Sequence, residues 1–142
     1  MIIGELPGSP FFDKGEIPMK IIEAINKIDD LKFNNFEQDR KIDWLSRLDC
    51  MVKRLIIDTH KGGKCIKFTG YNSETDMQTE LLIPAPFDEA YLRWMEAQID
   101  YHNGEIDKYN ISITMFNTEF EAFASWYHRN HLPVSHGRRF IF

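Results

Sequence analysis

Apolar residues fall at helical spacing in four stretches of this chain and at alternating spacing between the second and the third. In PMKIIEAINKIDDL, Ile21, Ile22, Ile25 and Ile28 share one side, which predicts a short amphipathic helix with Pro18 in its first turn, where proline is tolerated. A second helix is predicted from Phe36 or Glu37, because Asn35 and Gln38 have capping-box spacing and Ile42, Leu45, Leu48, Val52, Leu55 and Ile56 form a stripe beyond them. Gly62 and Gly63 stop it near His60. KCIKFT and MQTELLI then read as two extended runs joined by the turn-rich GYNSETD, so a β-hairpin is expected over residues 64–83, ended by Pro84 and Pro86.

A third helix is predicted over residues 87–103, with Phe87, Tyr91, Met95 and Ile99 on one side and Glu89, Arg93, Glu96 and Asp100 on the other. Asn103-Gly104 favours the left-handed backbone that closes a helix. Beyond it Ile106, Tyr109, Ile113, Phe116, Phe120, Phe123 and Tyr127 recur at steps of three and four, the strongest periodicity in the chain. Two helices joined by so short a turn lie antiparallel, so residues 87–130 read as a helical hairpin. Ile111, Met115, Ala122 and Trp126 form a second apolar side of the last helix, roughly 130° around from the first. That side needs cover, from the first or second helix or from another subunit.

The fold expected for the whole chain is one domain over residues 1–142, mainly α (α+β). It comprises an antiparallel helical hairpin or bundle of about four helices with the inserted β-hairpin. Residues 1–17, with three glycines and two prolines around Phe11 and Phe12, read as an irregular, flexible N-terminal arm; residues 131–142 read as a flexible C-terminal tail. The 43% hydrophobic and 27% charged residues argue against wholesale disorder. The aromatic content of 13%, including 11 Phe, suits a dense core or a subunit interface.

A net charge of -5 argues against a protein whose main task is to grip a nucleic-acid backbone, which needs clustered Lys and Arg. A channel that DNA merely slides through has no such need. No apolar run approaches the roughly 20 residues of a membrane span. MIIGELPGSPFF lacks a basic n-region and a continuous apolar h-region, so it is not read as a secretion signal and synthesis in the cytoplasm is expected. Cys50, in a helical pattern, and Cys65, in a strand pattern, read as reduced, packed thiols.

Little catalytic chemistry is suggested. His128, His131 and His136 stand close in WYHRNHLPVSH, but Pro133 breaks any helix that would align them, and they read as exposed histidines of the tail rather than zinc ligands. QIDYHNGEIDKYN gathers His102, Glu105, Asp100 and Asp107, which read as a helix corner, with Glu105 and Asp107 at the positive end of a helix dipole. Asp29 with Asp30, and Asp100 with Asp107, read as carboxylates on solvated faces. Calcium, nucleotide and serine-nucleophile motifs are missing, so no catalytic, cofactor-binding or metal-ligating residue is assigned.

The runs ELLIPAPFDEAY, IDYHNGEIDKYN and WYHRNHLP resemble small proteins of tailed bacteriophages and prophages that are assigned as head-to-tail connector (adaptor, head-completion) proteins. The likeness covers residues from about 70 to 133 well, and residues 18–60 by helix layout alone. The resemblance implies a non-enzymatic, mostly helical virion subunit made in the host bacterial cytoplasm. Its copies form a homo-oligomeric ring between the portal protein and the neck or tail completion protein, with DNA passing through the channel. MIIGELPGSPFFDKGE and SHGRRFIF extend past the family's usual ends. The contacts expected to serve assembly are Ile111, Met115 and Trp126, the hairpin tip from Tyr71 and Asn72 to Asp76, and the tail residues Arg138, Arg139, Phe140 and Phe142. Two other readings are kept: a small phage-encoded binding or regulatory protein acting as monomer or dimer on a host factor, and a hydrolase using His102 with Glu105 or Asp107.

Overall fold

A computed structural model describes residues 18–134. The first helix starts later than the sequence suggests, because Pro18–Lys20 forms a short strand, β1, and the helix α1 runs Ile21–Leu31. Lys20 is extended, and its backbone N–H donates to Glu23 Oε1 at 2.9 Å, turning the chain from strand into helix. The second helix, α2, spans Gln38–Leu55. Asn34 rather than Asn35 organises its approach, its side-chain oxygen accepting the Phe36 N–H at 3.1 Å.

No hairpin forms over residues 64–83. Gly63–Cys65 is a single 3-10 turn, residues 66–79 are irregular, and only Glu80–Pro84 is a strand, β2. The partner of β2 is β1, antiparallel, with Pro18 opposite Pro84 and Lys20 opposite Glu80. The alternation of KCIKFT is nonetheless used: Ile66 and Phe68 are half-buried against the core while Lys67 and Thr69 are exposed. The segment before β2 is already engaged, for the carbonyls of Met77 and Thr79 accept the N–H groups of Ile22 and Ile21, each at 3.0 Å. They satisfy two of the orphan donors at the start of α1.

The helical hairpin forms as expected from α3, Glu89–His102, and α4, Ile106–Asn130. At the corner Gly104 takes φ 77°, and the N–H groups of Asn103, Gly104 and Glu105 return to the carbonyls of Ile99, Tyr101 and Asp100. Ile25, Ile28, Leu45, Leu48, Leu81, Ile83, Tyr91 and Met95 fill a core shared by α1, α2, β2 and α3. Among the described residues α4 joins it along one side, through Phe116, Phe123 and Tyr127, with Ile113 and Phe120 half-buried.

The end of α4 is tied back to the end of α2. His60 bridges Pro133, Lys61 N–H donates to Leu132 O at 2.8 Å, and Val134 N–H donates to Thr59 O at 2.9 Å. Gly63 packs directly on the turn at Ile57–Thr59 that carries this junction: a Cβ there would lie 1.8 Å from Ile57 O. Residues 131–134 are therefore part of the folded unit. The N-terminal arm expected at 1–17 and the rest of the C-terminal tail, with His136, Arg138, Arg139, Phe140 and Phe142, lie outside the described residues.

Candidate functional site

The strongest polar centre is one that the sequence reading missed. The stripe of α2 continues through Ile42, Leu45, Asp49, Val52 and Ile56 at alternating steps of three and four, so Asp49 occupies a core position and is fully buried. Tyr71 Oη donates to its Oδ2 at 2.5 Å and Leu82 N–H to the same oxygen at 3.1 Å, while Tyr91 Oη donates to Oδ1 at 2.7 Å. Tyr91 Oη also accepts the Ile83 N–H at 2.6 Å. Burial pushes the Asp49 carboxyl up to about 6, against three hydrogen bonds that pull it down. Burial, then the Asp49 charge, pushes both phenols up, so they stay protonated as donors. Both carboxylate oxygens are occupied by protein donors, so the centre ties α2, β2, α3 and the 71-loop together rather than facing a substrate.

That network reassigns Tyr71, which is buried and anchors its loop instead of standing at an exposed tip. Asn72 is exposed and shapes the turn that follows, accepting the Glu74 N–H at 2.8 Å.

At the α3–α4 corner the acidic residues are not alike. Asp100, expected on a solvated side of α3, is fully buried. Its Oδ2 accepts a hydrogen bond from Ser112 Oγ at 2.8 Å, and Oδ1, which has no hydrogen bond among the described residues, faces the Lys32 ammonium at 2.8 Å as an ion pair. One carboxylate thus joins the end of α1 to both arms of the hairpin. Asp29 pairs with the buried Lys41 at 2.5 Å, clamping α1 to α2. His102 instead stacks on Trp44 with ring centroids 5.8 Å apart, Glu105 pairs with Lys108 at 3.3 Å, and Asp107 is exposed. These three share no hydrogen bond with one another among the described residues.

The histidines of WYHRNH serve packing. His60 Nδ1 lies 2.6 Å from Ile56 O and so carries a proton; in the neutral ring its Nε2 is then the acceptor for His128 Nδ1–H at 2.9 Å. His131 is half-buried rather than exposed, and stacks on Tyr127 with centroids 3.8 Å apart. His128 is exposed as expected, yet bonded. Among the described residues no three His, Cys, Asp or Glu side chains converge as metal ligands would.

Neither α1 nor α2 covers the second apolar side of α4. Ile111 is 63% exposed and Met115 40%, with Ala122 exposed beside them. Trp126 departs from this group, because its ring packs 5.5 Å from Phe87 and 6.1 Å from Phe123. Cys50 and Cys65 are exposed, not packed, since both fall on the outward sides of their segments. No helix among the described residues is long and apolar enough to cross a membrane. No protein-family model, curated protein or solved structure matches the chain.

Proposed function

We propose that the chain is a structural protein of a tailed-bacteriophage or prophage particle, a head-to-tail connector whose copies form a ring between portal and tail and extend the DNA channel. The observation that carries this reading is the outward side of α4, where Ile111 and Met115 are exposed on a 25-residue helix that, among the described residues, is packed along one side. An apolar strip on a long, rigid element is a surface built for another protein. The resemblance of ELLIPAPFDEAY, IDYHNGEIDKYN and WYHRNHLP to connector proteins adds to it. These runs occupy β2 with the start of α3, the α3–α4 corner, and the end of α4 held to α2. They form the frame that presents the strip. The net charge of -5 suits a wall past which DNA slides without sticking.

The test is co-sedimentation with purified portal complexes, followed by negative-stain imaging. A ring capping the portal is expected, and Ile111→Asp with Met115→Asp should abolish it while leaving the far-UV spectrum unchanged. A chain that never binds a portal, or a double variant that binds as well as the wild type, overturns the reading.

A further inference from the structure

Two surface features of opposite charge flank α2. Between α2 and α3 lies a groove of about 360 Å³ lined by Arg40, Asp43, Trp44, Arg47, Gln98 and His102. Arg47 gives its Nε to Asp43 Oδ2 at 2.8 Å, and the Arg40 guanidinium lies 5.6 Å from the Phe36 ring centroid. The remaining N–H groups of both arginines have no partner among the described residues. One carboxylate against two guanidinium groups leaves the groove positive, in a chain whose net charge is -5. Arginine presents a planar fork that matches a carboxylate bidentately.

The other feature is the acidic turn NSETD, residues 72–76. Asn72 N–H donates to Thr75 Oγ1 at 2.8 Å, Thr75 N–H returns to Asn72 O at 3.0 Å, and Asp76 Oδ1 accepts the Gln78 N–H at 2.9 Å. Tyr71 roots the turn on α2 through Asp49 and through its own N–H, which donates to Ser46 Oγ at 3.0 Å. Glu74 and Asp76 are exposed and have no ion-pair partner among the described residues. Ser46 lies roughly 100–120° around α2 from Arg40 and Arg47, and no residue of the turn lines the groove.

We infer that the turn Asn72–Asp76 of one copy seats in the Arg40–Arg47 groove of the next, each arginine taking one of the carboxylates of Glu74 and Asp76. The inference rests on the connector reading for its ring and names the surfaces that close it. Two different patches on different sides of one helix make a head-to-tail contact, the kind that generates rings when the rotation closes. The turn is ordered before it binds, so little freedom is lost on docking.

Sedimentation velocity tests this, using Arg40→Ala with Arg47→Ala as the groove variant and Glu74→Ala with Asp76→Ala as the turn variant. All four positions are exposed, and urea midpoints check that both variants fold. The wild type should associate as concentration rises toward about 1 mM, less so at high salt, with each variant at least about tenfold weaker. An equimolar mixture of the two variants keeps one good turn and one good groove, so it should stop at dimers. Replacing both arginines by Glu and both acids by Lys in one chain should restore association. A wild type that stays monomeric, variants that associate like it, or a mixture that either stays monomeric or grows past dimers overturns the inference. Portal binding is a separate readout: Ile111→Asp with Met115→Asp removes it under the connector reading, whereas the groove and turn variants leave binding of a single copy intact.

Discussion

Asp49 makes folding stability fall as pH rises through the acid range, opposite to the usual effect of a carboxylate. Burial holds its carboxyl at about 6 in the folded chain, against 3.8 for the free group. Below pH 3.8 both states carry the proton and the folded state keeps its full contribution. Between there and about 6 the unfolded chain has released the proton while the folded chain retains it, so stability drops with each step in pH. The gap from 3.8 to about 6, at about 1.4 kcal/mol per unit, gives a total loss of about 3 kcal/mol, complete above the folded value. Asp49→Asn removes the titration and keeps the shape, so the difference between wild type and variant cancels the other titrating groups. Urea unfolding of both proteins in steps from pH 3.5 to 8 should show the wild type losing about 3 kcal/mol relative to the variant, most steeply below pH 6. A flat difference, or a wild type that gains with pH, would mean that the two tyrosines and Leu82 N–H outweigh burial, and the reasoning fails.

Other perturbations probe the remaining contacts. Lys32→Met leaves the Asp100 carboxylate buried and unpaired and should cost about 3–5 kcal/mol in urea unfolding, most of it recovered by adding Asp100→Asn. Gly63→Ala cannot be accommodated against Ile57 O, so it should loosen the junction of α2 with residues 131–134, read as faster amide exchange at Lys61 and Val134. Trp126→Ala should lower stability by about 2 kcal/mol, less than a fully buried ring, through its lost contacts with Phe87 and Phe123. If it weakens portal binding without changing stability, Trp126 belongs to the assembly surface instead.

The parts of the fold legible in the sequence are those fixed by neighbours. Gly104 needs a positive φ wherever the helical hairpin turns, and the seam expected from Ile106 to Tyr127 carries its own period, so α3, α4 and their antiparallel packing follow from local pattern, although Ile106 at its head is 52% exposed. The strand pairing does not. β1 is three residues long and meets β2 some sixty residues later, and nothing in PMK distinguishes a strand from the first turn of α1. KCIKFT alternates for a real reason, burial of Ile66 and Phe68, yet alternation specifies which side chains face inward and not whether the backbone finds a partner.

The buried carboxylates expose a different limit. Asp49 interrupts an apolar stripe and Asp100 sits among charged neighbours, and neither helix considered alone shows what its carboxylate pairs with. Their partners come from elsewhere: Tyr71 and Tyr91 stand 22 and 42 positions beyond Asp49, and Lys32 reaches Asp100 from α1. For Asp49 the signal was nevertheless present, because its position continues the alternating three-and-four spacing of Ile42, Leu45, Val52 and Ile56. A charge in phase with a core stripe has to find donors or leave the stripe, and a chain with two tyrosines free to donate can take the first course. Asp100 had no such marker. Its burial follows from α1 and α4 both closing on one side of α3, which is set by tertiary packing and not by the period of α3 itself.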